Sequence, residues 1–98
     1  MYIVLIYDIE LSAEKPQKNE DARVLRQVFK ICKQYLTHIQ NSVFEGELSE
    51  PQLIEIKTKL KSYLRKDKDS CIIFKARNRT WMQKEFITRE IDQTSVFI

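Results

Sequence analysis

The first eight residues, Met1 to Asp8, read Met-Tyr-Ile-Val-Leu-Ile-Tyr-Asp, a β-branched and aromatic run that predicts a strand. Ile3, Leu5 and Tyr7 fall on one side of such a strand and Tyr2, Val4 and Ile6 on the other, so both sides are apolar and both need cover. The run ends on a carboxylate. Asp8 must stay in water, find a partner or hold a metal ion. An ordinary turn aspartate is the competing reading.

The chain has 98 residues, which suits one domain spanning 1–98. Hydrophobic residues make up 43% and charged residues 32%, and no apolar run approaches the ~20 residues that cross a bilayer, so no membrane partner is expected. No basic segment precedes the first strand, so no signal peptide is read there. Cys32 and Cys71 lack metal-type spacing and are expected as buried free thiols in a reducing cytoplasm. The net charge of +3 conceals a segregation: residues 57–84 carry ten Lys and Arg against Asp67 and Asp69, a local balance of +8. That asymmetry points to a polyanionic partner, although a solvated lysine-rich helix face gives the same count.

After the first strand and a polar connection containing Pro16, Val24, Leu25, Val28, Cys32, Tyr35 and Leu36 recur at helical spacing. Arg23, Arg26, Lys30 and Lys33 recur on another side as a basic ridge suited to phosphates. Residues 37–48 read as two extended pieces with a bend at Asn41 and Ser42. Gly46 is the only glycine, which excludes glycine-rich phosphate cradles of the Rossmann or P-loop kind. Ser49-Glu-Pro-Gln52 is a capping box that predicts a second helix with Leu53, Ile56, Leu60, Tyr63 and Leu64 buried, Lys57, Lys59, Lys61, Arg65 and Lys66 outward, and closure at residues 67–69.

Residues 70–76 form a further strand whose Cys-Ile-Ile-Phe centre reads as buried on both faces. Residues 81–88 read as an edge strand after a turn at Arg77 and Arg79, and residues 90–98 as a strand-like tail that ends in a short apolar run at 95–98. The order β-α-β-β-α-β predicts an α+β, ferredoxin-like antiparallel sheet with two helices on one face and an added C-terminal strand. Two helices cover one face only. The other is expected to be covered by a second copy, giving a sheet-stacked two-fold homodimer. A two-fold axis near the ends of the first strands would pair the Asp8 carboxylates, enough for one hydrated Mg²⁺ or Mn²⁺ at a scissile phosphodiester, with Glu10 as a helper or a solvated loop acid.

Taken together, the strand ending in Tyr7-Asp8, the stretch Gln40-Asn-Ser-Val-Phe-Glu-Gly-Glu-Leu48 before a capped helix, and Asp69-Ser-Cys-Ile-Ile-Phe74 resemble CRISPR-associated protein 2, from Met1 to the region of Trp81. The resemblance implies a ferredoxin-like homodimer that joins the CRISPR integrase, CRISPR-associated protein 1, in capturing duplex DNA for spacer acquisition. It places Asp8 at the family's catalytic metal-ligand position and Arg23 or Arg26 at a basic position early in the first helix. Tyr7 and Phe44 match aromatic positions. His38 stands where related sequences often carry Arg, so it is read as structural or phosphate-contacting rather than as a general base. The family includes metal-dependent nucleases on RNA or duplex DNA.

Two readings therefore stand side by side: a metal-dependent phosphodiesterase of the endoribonuclease type using Asp8, and a non-catalytic DNA-bridging dimer. In either, Arg23, Arg26, Lys30, Lys33, His38, Arg77 and Arg79 are the expected nucleic-acid contacts, made to the backbone rather than to base edges. Single-stranded RNA is a further expected substrate. Trp81, Phe86 and Phe97 are expected in the core, not as a stacking platform. The tail at 95–98 is expected to add to a sheet edge of the second protomer or of the integrase.

Overall fold

A computed structural model describes residues 1–12 and 19–88. Its elements are β1 (Tyr2–Asp8), α1 (Asn19–Tyr35), β2 (Thr37–Gln40), β3 (Val43–Glu47), α2 (Glu50–Lys61) and β4 (Ser70–Ala76), followed by a 3-10 turn at Arg79–Trp81. The strands form one sheet in the order β2-β3-β1-β4, with every neighbouring pair antiparallel. This is the expected α+β ferredoxin-like arrangement.

The core lies between one sheet face and the helices. Ile3, Leu5 and Tyr7 of β1 meet Val24, Val28, Ile31 and Cys32 of α1 and Leu53, Ile56 and Leu60 of α2. Phe44 of β3 is fully buried among them. The β2–β3 bend falls at Asn41 and Ser42, where Asn41 takes the left-handed φ of 43° that Asn tolerates better than most residues. Gly46 lets Leu36 lie against β3: a Cβ there would meet the Leu36 Cδ2 at 3.0 Å.

The capping box forms as the sequence predicts. Ser49 Oγ accepts from the Gln52 N–H at 3.3 Å, and Gln52 Oε1 accepts from the Ser49 N–H at 2.9 Å. The helix is shorter than its periodicity suggests, ending at Lys61, because Arg65 is drawn into a polar network instead of continuing the outward face.

The sheet face away from the helices corrects two expectations. β4 is an edge strand covered on one side only: Cys71 and Ile73 pack toward the helices, while Ile72 and Phe74 remain 53% and 51% exposed. Residues 82–88 do not form a strand. They run over the β2–β3 half of this outer face, where Met82 and Phe86 share a cavity with Val4, Ile39 and Val43, and Lys84 pairs with Glu45. The physical reason is that one apolar side and a lysine anchor suffice to hold a strap without ladder hydrogen bonds. The outer face is thus half covered, and the open half comprises Ile6, Ile72 and Phe74, with Ile6 directly opposite Ile72. The tail at 90–98 lies outside the described residues.

Candidate functional site

Asp8 ends β1 opposite Ser70 and is exposed. By strand alternation it shares the outer face with Val4 and Ile6. It stands at the rim of an open cleft of about 450 Å³ lined by Tyr7, Ile9, Leu25, Phe29, Asn41 and Ser42. The Tyr7 N–H donates to the Ser42 carbonyl at 3.2 Å, tying the end of β1 to the β2–β3 bend. Burial pushes the Tyr7 phenol above its ordinary range, so it remains neutral. Burial also lifts the Cys32 thiol to about 12 and the Cys71 thiol to about 11, so neither supplies a thiolate near neutral pH. Both cysteines are free.

Among the described residues no cluster of three or more His, Cys, Asp or Glu side chains is arranged for a metal. At the end of β1 Asp8 is an exposed carboxylate, and Glu10, two residues on, is exposed as well. Asp69, one residue from the register partner of Asp8, is not free to join it. Its carboxylate receives Arg65 Nε at 2.9 Å and Nη2 at 3.0 Å, the Arg65 N–H at 2.8 Å and the Glu10 N–H at 3.0 Å. The same guanidinium reaches Asp21 of α1 at 2.5 Å and the Glu10 carbonyl at 3.0 Å, while Asp21 accepts from the Ser12 N–H at 2.7 Å. Arg65 thereby fixes the chain immediately after Asp8 against α1 and the α2–β4 connection. This corrects the expectation that Arg65 is an outward helix residue: its partner Asp21 is 44 positions away, and no local spacing announces it.

The network has a consequence for stability. Hydrogen bonds from Arg65 hold the Asp21 carboxyl below the usual range; Asp69 is held below it too, Arg65 and the backbone N–H groups outweighing the opposing effect of burial. Folded values below the unfolded ones give stabilisation that is present above about pH 4 and lost as pH falls through the depressed values. Arg65→Met should cost about 2 kcal/mol at neutral pH by leaving Asp69 without its charge partner. Thermal denaturation followed from pH 7 downward should show the wild type losing its advantage below about pH 4.

The basic residues divide into two groups. Arg23, Arg26, Lys30 and Lys33 are all exposed along α1, spanning about 15 Å, and none forms an ion pair among the described residues. Arg77 and Arg79 follow Ala76, the partner of Tyr2, and so lie at the opposite end of the sheet from Asp8, about 20 Å along the strand. His38 belongs to neither group. It is 7% exposed, packs against Phe29 and Phe44, and bonds through Nε2 to the Asn41 carbonyl at 2.8 Å. A carbonyl can only accept, so Nε2 donates. Burial between Phe29 and Phe44 suits the structural role of the two expected for it.

On the expectation that this ridge of α1 contacts phosphates, replacing Arg23, Arg26, Lys30 and Lys33 by Glu should weaken duplex binding and flatten its salt dependence. Each phosphate that is no longer neutralised by a side chain takes about 0.9 from the log–log slope. Fluorescence anisotropy over a salt series reads this directly, and an unchanged slope would assign the ridge to solvation.

The four-stranded antiparallel sheet with two helices on one face is a ferredoxin-like α+β fold, with part of its other face open and an exposed carboxylate at the end of β1. The family model for CRISPR associated protein Cas2 matches residues 1–84, and the chain belongs to that family. It is 50% identical over 98 residues to the CRISPR-associated endoribonuclease Cas2 of Fusobacterium nucleatum subsp. nucleatum, covering all of this chain and 87% of that one. It is 32% identical over 96 residues to CRISPR-associated endoribonuclease Cas2 2 of Moorella thermoacetica, covering 98% of this chain and all of that one. Among solved structures, Streptococcus pyogenes Cas2 at pH 6.5 superposes with a TM-score of 0.73 at 26% identity, over 90% of this chain and all of that one.

Proposed function

We propose that the chain acts in CRISPR adaptation as a two-fold dimer stacked through the outer sheet face, bridging duplex DNA with the CRISPR integrase, CRISPR-associated protein 1. In this reading the paired Asp8 carboxylates provide a Mg²⁺- or Mn²⁺-dependent phosphodiesterase site for RNA or duplex DNA. The observation that carries it is the position of Asp8 on the same strand face as Ile6, at the end of the apolar half-face left open by Ile6, Ile72 and Phe74. Stacking two such faces about a two-fold axis removes the apolar surface from water and brings two carboxylates toward one another.

The donor chemistry fits a hard cation, which takes one or two carboxylates and completes its shell with water and substrate phosphate. Such an ion would supply charge neutralisation at the scissile phosphate and activation of water. The protein's part is to hold Asp8 in place through the Tyr7–Ser42 bond and the Arg65 network, and to retain the nucleic acid through the α1 ridge. Among the described residues no helix is long and apolar enough to cross a membrane. A cytoplasmic setting accords with the free thiols.

The non-catalytic scaffold is the second reading, supported by the exposed basic ridge of α1, which suits contact with backbone phosphates and needs no chemistry. Spacer acquisition and phosphodiester turnover measured with the same Asp8→Asn protein separate the two. Loss of both supports a required metal site. Retained acquisition with lost turnover makes the protein a scaffold with a side activity.

A further inference from the structure

Trp81 is the chain's only tryptophan and is 68% exposed, against the expectation that it joins the core. Its place is set by a capped turn rather than by packing. Asn78 Oδ1 accepts from the Thr80 N–H at 3.0 Å, the Trp81 N–H donates to the Asn78 carbonyl at 3.2 Å, and the Met82 N–H donates to the Arg79 carbonyl at 3.1 Å. The Arg77 guanidinium lies over the indole, 5.7 Å from the ring centroid, and Arg79 occupies the same turn. Neither arginine forms an ion pair among the described residues, whereas nearby Lys84 is engaged by Glu45.

A large aromatic ring held out in water, backed on one face by a cation and flanked by another, is suited to a ligand with both a flat π surface and a negative charge. An apolar peptide or lipid would need a wider apolar surface, and the residues from Arg77 to Thr80 are polar and exposed. A duplex offers phosphates but keeps its base faces within the stack. An unpaired nucleotide offers both. We propose that Trp81, with Arg77 and Arg79, is a stacking platform for an unpaired base of single-stranded RNA or DNA, at the opposite end of the sheet from Asp8. This deepens the nucleic-acid reading above and rests on it: a strand held at both points spans about 20 Å of one protomer.

The lone tryptophan supplies its own probe. With the full chain excited at the red edge of absorption, where tryptophan alone responds, a uridine or thymidine homopolymer should quench the emission saturably. A blunt duplex of equal length should bind without comparable quenching. Trp81→Ala should weaken single-strand binding about tenfold, with Trp81→Phe restoring most of it because a ring face remains. Arg77→Gln and Arg79→Gln should each lower the single-strand salt slope by about 0.7. Running the RNA and DNA homopolymers in parallel tells which strand is held more tightly.

The platform is overturned if single strands bind with unchanged emission and Trp81→Ala binds as well as wild type, or if duplex quenches equally. It is also overturned if emission of the free protein varies with its own concentration, since a second copy would then cover the ring. If no nucleic acid binds by anisotropy, the functional reading itself fails, a result distinct from binding that leaves Trp81 silent.

Discussion

Replacing Ile72 and Phe74 together with Glu should leave the chain folded and monomeric at micromolar concentration, with self-association weakened more than about 1000-fold. Both side chains are half exposed in the single chain, so their loss removes little from its own core. In a face-to-face dimer each would be buried against its copy. The substitution would then place four carboxylates in one apolar interface, where desolvation and like-charge repulsion act together. Phosphodiester turnover should vanish with the dimer although Asp8 is untouched. Sedimentation velocity and far-ultraviolet circular dichroism together read association and folding. A folded variant that stays dimeric would remove the outer face from the interface and, with it, the pairing of Asp8.

The second large effect is at Asp8. Asp8→Asn keeps the side-chain shape and removes the charge a hard cation requires, so Mg²⁺-dependent cleavage should fall about 100-fold or more. Asp8 makes no ion pair among the described residues and is exposed, so thermal stability should change little. Duplex binding should persist or strengthen slightly, because two negative charges per dimer leave the vicinity of a phosphate path. Turnover that survives the substitution would place the chemistry elsewhere.

Much of this architecture is legible in the sequence because its determinants are local. β1 carries apolar residues on both sides, and the Ser49–Gln52 capping box marks the start of α2 within four residues. The parts that local pattern misplaces depend on distant partners. Residues 81–88 have strand-like composition, yet their fate is set by Glu45 holding Lys84 and by the hollow beside Ile39 and Val43. α2 has the periodicity to continue past Lys61, but Arg65 gains more from Asp69, Asp21 and the Glu10 carbonyl than from another helical turn. For His38 the sequence leaves a structural and a phosphate-contacting role open, because nothing local reveals that Phe29 and Phe44 enclose it. At the candidate site Asp8 stands out in the sequence as a charge after an apolar run, whereas the Arg65 network that fixes the following residues does not. Trp81 reads as a core residue because tryptophan commonly is one, and the Asn78 cap that holds it outside is a side-chain-to-backbone detail.

Whether two chains contribute one Asp8 each to a single cation site is decided by counting bound Mn²⁺ by electron paramagnetic resonance at protein concentrations where the dimer is formed. One ion for every two chains is expected in the wild type, with loss of that ion in both Asp8→Asn and the monomeric Ile72→Glu, Phe74→Glu variant. One ion per chain, or a bound ion indifferent to Asp8, would contradict the shared site.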